Sequence, residues 1–136
     1  MDENCIFCKI IAGKIPTLKV YEDKDVMAFL DIAPANKGHT LIVPKKHSKD
    51  MLEDNNKDLA AVMKAAKKIS AAVMKAVSAE GFNFIANTGP VAGQVVFHTH
   101  FHIIPRFEND GLKHWPKKDY SEDEMIAVKN KIIESI

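Results

Sequence analysis

The chain has 136 residues, of which 46% are hydrophobic and 27% charged, and its formal net charge is +1. This length supports one hydrophobic core, so we expect a single domain over residues 1–136. The cationic residues are scattered among nearly equal numbers of acids, which argues against a nucleic-acid polymer as partner. No apolar stretch approaches a membrane span or the core of a signal peptide, so we expect no membrane association and a cytoplasmic location.

Apolar periodicity and turn residues predict the elements in chain order. They are a short helix over Asn4–Ala12, strands over Leu18–Glu22, Val26–Asp31 and His39–Val43, a long amphipathic helix over Lys57–Ala79, strands over Phe82–Asn87 and Val95–Ile104, and a final helix from Ser121 to Ile133. The sequence therefore predicts an α+β fold: a mainly antiparallel sheet of about five strands with one long helix, a short N-terminal helix and a C-terminal helix.

The most unusual feature is the run His98-Thr99-His100-Phe101-His102, which holds three of the six histidines. Side chains alternate between the two faces of an extended strand, so the three imidazoles point one way and the residues between them point the other. A surface strand more often carries Lys, Thr or Glu on its outer face. Imidazole can act as nucleophile, proton carrier or metal ligand near neutral pH, so we interpret the run as functional.

The histidine run resembles the signature of the histidine triad (HIT) family of nucleotide hydrolases and transferases. Four further segments are similar to those of the bacterial Hint-like members and occur in the same order. They are Cys5–Ile11, Ala28–Ile32 with Pro34, Gly38–Lys45 and Gly93-Gln94. The resemblance covers nearly the whole chain, and it implies a HIT-like fold and a homodimer that uses the long helix and a sheet edge.

The resemblance also implies a covalent mechanism. His100 is expected to attack the α-phosphorus of a nucleoside phosphate derivative, giving a nucleotidyl-histidine that water resolves to a nucleoside monophosphate. The main-chain carbonyl of His98 is expected to hold the other ring nitrogen of His100. His102 is expected to contact phosphate oxygens and to assist the leaving group.

A purine nucleotide is the ligand that the resemblance implies. Asp31 is expected to accept both ribose hydroxyls, although a strand-end Asp that begins a turn is the plainer alternative. The phosphate is expected to lie against Gln94 and the main-chain amides of Gly93 to Val95. The same match assigns Ile6, Phe7, Ile10, Ile15, Phe29 and Ile32 to a base slot, Asn87 to the ribose or phosphate, and His39 to a supporting place near the triad.

One position departs from the family pattern. Many Hint-like members have a hydroxyl residue where this chain has Val95. The missing side-chain hydrogen bond to the phosphate is worth about 0.5–1.5 kcal/mol, so it should change the rate or the affinity without removing the activity.

Both cysteines lie in the segment Cys5-Ile6-Phe7-Cys8, a spacing that indicates metal or redox chemistry in a reducing compartment. Some bacterial triad proteins have a zinc site with two cysteines and two histidines, the last being the first histidine of the triad. The resemblance therefore implies a structural zinc held by Cys5, Cys8, His47 and His98. A redox pair is a competing interpretation, although no strand precedes Cys5, and two inert thiols are another.

Three functions remain open from the sequence. The first is a nucleotidyl hydrolase or transferase that acts on nucleoside phosphoramidates or dinucleoside polyphosphates. The second is a regulatory module that binds a purine nucleotide with little turnover. The third is a zinc-stabilised interaction protein, which explains the cysteines but leaves His100 and His102 without a purpose.

Overall fold

The structure, a computed structural model, describes all 136 residues. Its helices and strands in chain order are α1 (Ile6–Ile11), β1 (Lys19–Glu22), β2 (Val26–Leu30), β3 (Thr40–Pro44), α2 (Asn56–Val77), β4 (Gly81–Ala86), β5 (Phe101–Arg106) and α3 (Glu122–Ser135). None of these helices combines the length and the apolarity needed to cross a bilayer.

The strands form one five-stranded sheet in the order β1-β2-β3-β5-β4, and every neighbouring pair is antiparallel. The predicted α+β fold is therefore confirmed, with one long helix and a shorter helix at each end. Strands β1 and β4 are the two edges. Strands β3 and β5 lie inside the sheet, so the histidine-bearing strand has neighbours on both sides.

The long helix α2 covers one face of the sheet. Asn55 caps its first turn by accepting the amide N–H of Asp58, and Ser78 ends it in the left-handed conformation. The apolar stripe predicted from the sequence is buried against alternate residues of β2, β3 and β5, and together they form the larger core. Its members are Val26, Ala28, Ile42, Val62, Ala65, Ala66, Ile69, Phe101 and Ile103.

The N-terminal segment with α1 covers the opposite face. The intervening residues of β2 and β3 point to this side and pack with it in a second core, made of Cys5, Phe7, Cys8, Met27, Phe29, Leu41 and Val43. Because both faces are covered, β2 and β3 are buried along nearly their whole length instead of alternating between apolar and polar residues.

The bounds predicted for the histidine strand were wrong. The prediction ran from Val95 to Ile104, but β5 spans Phe101–Arg106, and residues 95–100 approach it through a bend. Residues 95–100 are held by a contact with the loop after β3 and not by strand pairing: the Thr99 N–H donates to the Ser48 carbonyl at 2.8 Å. At the far end of β5, pairing with β3 stops at Ile103, so the residues beyond it pair only with β4. A strand tolerates a proline where it lacks one neighbour, and β5 therefore continues through Pro105 to Arg106. The other elements end within two residues of their predicted bounds.

The C-terminal helix α3 stands apart from both layers. Ser121 and Glu124 form the capping box predicted from the sequence, which explains why the helix starts there. None of its residues is buried in this chain, and its apolar side chains are open to solvent, among them Met125, Ile126, Ile132 and Ile133.

Candidate active site

The three histidines lie on the α1 side of the sheet, where the second core leaves an opening. His98 is fully buried, His100 is 8% exposed and His102 is half-buried. Phe101 and Ile103 point to the other side, into the larger core, so the predicted alternation holds within β5. Thr99, which precedes the strand, hydrogen-bonds to Ser48 in the loop after β3. The rings of His100 and His102 are 5.1 Å apart, centroid to centroid.

His100 is held in one orientation by the main chain. Its Nδ1 lies 2.7 Å from the carbonyl oxygen of His98. A carbonyl can only accept, so Nδ1 carries the proton and Nε2 keeps its lone pair. The edge of the Phe7 ring closes one side of the imidazole, at 5.1 Å between centroids. Burial lowers the pKa of His100, so at neutral pH the ring is uncharged and its Nε2 is available as a nucleophile.

His102 has one partner and one free donor position. Its Nδ1 lies 2.8 Å from Nε2 of His39, while its own Nε2 is buried without a hydrogen-bond partner. Burial, and after it the neighbouring His100 and His39, lowers the pKa of His102 to about 4. The ring is therefore neutral at pH 7, with its unsatisfied nitrogen beside the expected nucleophile.

Four potential metal ligands meet next to the triad. Cys5 and Cys8 come from the start of α1, His47 from the loop after β3, and His98 from the approach to β5. The Nδ1 atom of His98 lies 3.4 Å from Cys5 Sγ, 3.5 Å from Cys8 Sγ and 3.2 Å from His47 Nδ1. His47 Nδ1 is 3.4 Å from Cys8 Sγ.

These spacings fit a tetrahedral ion. Bonds of about 2.0 Å to nitrogen and 2.3 Å to sulfur separate two nitrogens by about 3.3 Å and a nitrogen from a sulfur by about 3.5 Å. The ring of His98 is also in the required tautomer: its Nε2 lies 2.8 Å from the Pro44 carbonyl and must donate to it, which leaves the lone pair of Nδ1 facing the thiols. Burial raises the pKa of the Cys8 thiol, so a thiolate here needs a cation beside it.

The residues predicted to bind the nucleoside divide by exposure. Phe7 and Phe29 are buried in the second core, with ring centroids 5.5 Å apart. Ile6 is 44% exposed and Ile32 is 97% exposed, so these two side chains are open to a ligand, while Ile10 and Ile15 are half-buried.

Asp31 lies where β2 ends. Its Oδ1 accepts the Ala33 N–H at 2.8 Å, and its Oδ2 lies 3.6 Å from Nε2 of His39. The carboxylate therefore borders the triad, and its turn-forming bond, the plainer alternative for this residue, is also present.

The predicted phosphate loop is folded back on itself. The side-chain amide of Gln94 is buried, accepts the Gly89 N–H at 2.9 Å and donates to the Lys49 carbonyl at 2.7 Å. It therefore anchors the loop. Gly93 has a positive φ of 94°, and a Cβ there would lie 3.6 Å from the Asn87 amide nitrogen. Val95 is 84% exposed.

The resemblance implied the contact of the His98 carbonyl with His100, but sequence reasoning missed the other main-chain groups that orient the site. The carbonyl of Pro44 orients His98, the amide of Ala35 donates to Nδ1 of His39 at 3.0 Å, and the Ser48 and Lys49 carbonyls hold the segment before β5. Almost every residue has an amide N–H and a carbonyl, so the residue type does not show which of them will orient a side chain. Only Pro44 was marked in the sequence, as the predicted end of a strand.

Comparison with known proteins identifies the family. Residues 12–109 match the HIT domain. The chain belongs to the histidine triad (HIT) family. It is 50% identical to the Bacillus subtilis protein hit, over 81% of this chain and 77% of that protein. It is 42% identical to the adenosine 5'-monophosphoramidase hnt1 of Schizosaccharomyces pombe, over 98% of each, and 46% identical to the adenylylsulfatase HINT3 of Arabidopsis thaliana, over 82% of this chain and 57% of that one.

Solved HIT structures have the same fold. A HIT protein from Bacillus subtilis matches with a TM-score of 0.92 and 42% identity, over 98% of both chains. A zinc-bound histidine triad protein from Mycobacterium smegmatis matches with a TM-score of 0.77 and 32% identity, also over 98% of both. The resemblance noted from the sequence is thereby confirmed for the family and the fold.

Proposed function

We propose that this HIT protein is a nucleotide hydrolase or transferase that cleaves purine nucleoside phosphoramidates or dinucleoside polyphosphates at the α-phosphorus. The observation that carries the proposal is the state of His100, a neutral ring whose Nδ1–H is bound by the His98 carbonyl and whose Nε2 lone pair is free. The names of two relatives, a monophosphoramidase and an adenylylsulfatase, support this reaction class.

The reaction has two steps. In the first, Nε2 of His100 forms a bond to the α-phosphorus while the bond from phosphorus to the leaving group breaks, and the electron pair departs with that group, which takes up a proton. In the second, water attacks the phosphorus and gives up a proton to solvent, the bond to His100 breaks and returns the lone pair to Nε2, and the nucleoside monophosphate is released. The unpartnered Nε2 of His102 lies beside the reacting ring and stabilises charge on the phosphoryl oxygens or the leaving atom.

The nucleoside is placed along the opening between β2 and α1. The Asp31 carboxylate, next to His39, takes the ribose hydroxyls, and the exposed side chains of Ile6 and Ile32 contact the base. In this loop the Gly93 and Gln94 amides already donate to the Pro90 and Gly89 carbonyls, at 3.0 and 3.1 Å, so the Val95 amide is the main-chain donor left for the phosphate. The Gln94 side chain holds the loop, and Asn87 lies beside it.

The test is release of nucleoside monophosphate from an adenosine phosphoramidate by wild type and His100→Asn. The variant should lose several orders of magnitude in turnover, because it removes the nucleophile. His114→Asn is the matched control, since His114 is exposed and lies outside the histidine cluster. Equal inactivity of wild type and His100→Asn, with AMP still bound, would instead establish a nucleotide-binding module.

The four-ligand cluster is assigned to a structural zinc. Cys5, Cys8, His47 and His98 would hold it, and the ion would keep the thiols deprotonated and cross-link α1 to the histidine segment. His98 would then have two functions, because its ring would hold the ion while its carbonyl holds His100.

Metal analysis tests this assignment. Protein purified without chelator should contain about one zinc per chain, and Cys8→Ser should contain almost none. His102→Gln should retain its zinc, because His102 lies outside the four-ligand cluster. Wild-type protein without zinc after expression in zinc-replete medium would contradict the assignment.

A further inference from the structure

Two hydroxyl groups form a pair beside the proposed nucleophile. One belongs to Thr99, which is 2% exposed, and its Oγ1 lies 2.8 Å from Oγ of Ser48 in the loop after β3. The next two alternate positions of the histidine run carry Phe101 and Ile103, which fill the larger core with apolar side chains. Burying a hydroxyl is unfavourable unless it is hydrogen-bonded, so the threonine at position 99 serves its contact with Ser48 and not the core.

The same two residues are joined through the main chain. The Thr99 N–H donates to the Ser48 carbonyl at 2.8 Å. This N–H belongs to the peptide unit whose carbonyl is that of His98. No peptide bond in the chain is cis, and the N–H and C=O of a trans unit point in opposite directions. The unit is therefore held from both sides, by the Ser48 carbonyl and by Nδ1–H of His100 at 2.7 Å.

The sheet does not hold this peptide unit. Pairing of β5 with β3 and with β4 begins at Phe101, so the unit lies just outside the strand. Its orientation thus depends on Ser48. A hydrogen bond to the N–H of a peptide unit also polarises the unit and strengthens its carbonyl as an acceptor. Ser48 therefore acts on both the direction and the strength of the bond to His100.

We propose that Ser48 and Thr99 are a positioning pair, whose hydroxyl contact keeps the His98–Thr99 peptide in the orientation that holds Nδ1–H of His100. This inference rests on the proposed function, because the orientation of His100 affects turnover only if its Nε2 is the nucleophile. The pair acts through the His98 carbonyl and needs no contact with substrate.

Substitutions at both positions test the pair. Thr99→Val removes the hydroxyl at nearly unchanged volume, whereas Thr99→Ser keeps it. We expect Thr99→Val to lower kcat by about 3- to 10-fold with little change in KM, and Thr99→Ser to recover most of that loss. Ser48→Ala should cause a similar loss, and the double variant no further one, because both substitutions remove the same contact. Additive losses would overturn the pairing.

Thr40→Val is the matched control. Thr40 is also fully buried, and its hydroxyl donates to the Gly38 carbonyl at 2.9 Å. It pairs with Ile103, whose side chain lies in the larger core, so it is on the α2 side of the sheet, away from the triad. With all variants at the same zinc content, Thr40→Val should lower the melting temperature about as much as Thr99→Val and leave kcat unchanged. Equal kcat in these two variants would overturn the proposal.

The decisive readout is the tautomer of His100, measured by two-bond ¹H–¹⁵N NMR on histidine-labelled protein without substrate. Wild type and Thr99→Ser should show His100 protonated on Nδ1, and Thr99→Val should show a mixture of tautomers. An Nε2–H tautomer in wild type, or an unchanged tautomer in Thr99→Val, would contradict the proposed positioning. Because this spectrum needs no turnover, its result is independent of the His100→Asn test of the function.

Discussion

We expect the side chain of Val95 to lower kcat/KM, because it lacks a hydroxyl that could donate to the phosphate. It is 84% exposed and follows Gly93 and Gln94 in the loop assigned to the phosphate. Val95→Ser adds a hydroxyl that can donate to a phosphate oxygen. A bond worth about 0.5–1.5 kcal/mol corresponds to a rise in kcat/KM of about 2- to 10-fold.

Steady-state kinetics on an adenosine phosphoramidate would measure this rise. The matched control is Val91→Ser, because Val91 is fully exposed in the turn of the same loop. A similar rise in both variants would show that loop polarity, and not a bond at position 95, is responsible.

The loop between β2 and β3 packs closely against the end of α2 and against β5. Gly38 has a φ of +86°, and a Cβ there would lie 2.9 Å from Val77 Cγ1 and 3.3 Å from Pro105 Cγ. Gly38→Ala should therefore lower the free energy of unfolding by about 2–4 kcal/mol, from backbone strain and overpacking together.

Gly13→Ala separates these two causes. Gly13 also has a positive φ, +72°, but nothing lies within 4 Å of a Cβ at that position. Gly13→Ala should therefore lower the free energy of unfolding only by the backbone strain, about 1–2 kcal/mol. Urea denaturation of both variants gives the comparison, and equal losses would mean that contact with α2 contributes nothing.

At the scale of the whole molecule, apolar surfaces remain without a partner in the chain. They include the edge strand β4, where Phe82 is 42% exposed, and the face of α3. An exposed strand edge invites pairing, and an isolated helix of this length is marginal in water. The resemblance implies a homodimer that uses the long helix and a sheet edge, and we propose that this edge is β4.

Sedimentation equilibrium tests the dimer. Phe82→Lys should raise the dimer dissociation constant at least about tenfold, because it places a charge at the interface. Leu18→Lys is the control, since Leu18 is 71% exposed just before β1, at the opposite edge of the sheet. A monomeric wild type at micromolar concentration would contradict the dimer.

Local pattern was enough to predict the order and type of the elements. The two-residue repeat predicted that the rings of His98, His100 and His102 lie together, although only His102 belongs to β5, and the apolar spacing of α2 predicted the face that packs on the sheet. Such periodicities are properties of consecutive residues, which is why the sequence carries them. The family motifs also pointed to the cluster of two cysteines and two histidines, although Cys5 and His98 are 93 positions apart.

For His39 and His98, only the tertiary structure decided which ring nitrogen is free, whereas the family resemblance already implied the His98 carbonyl as the partner of His100. The tautomers of His39 and His98 depend on the amide of Ala35 and the carbonyl of Pro44, which the fold brings to the rings. It also decided where β5 begins, because pairing depends on the neighbouring strands. The sequence by itself thus determined the residue types and their faces, while the fold determined their tautomers and partners, because backbone groups are the same at every position and acquire a role only from where they lie.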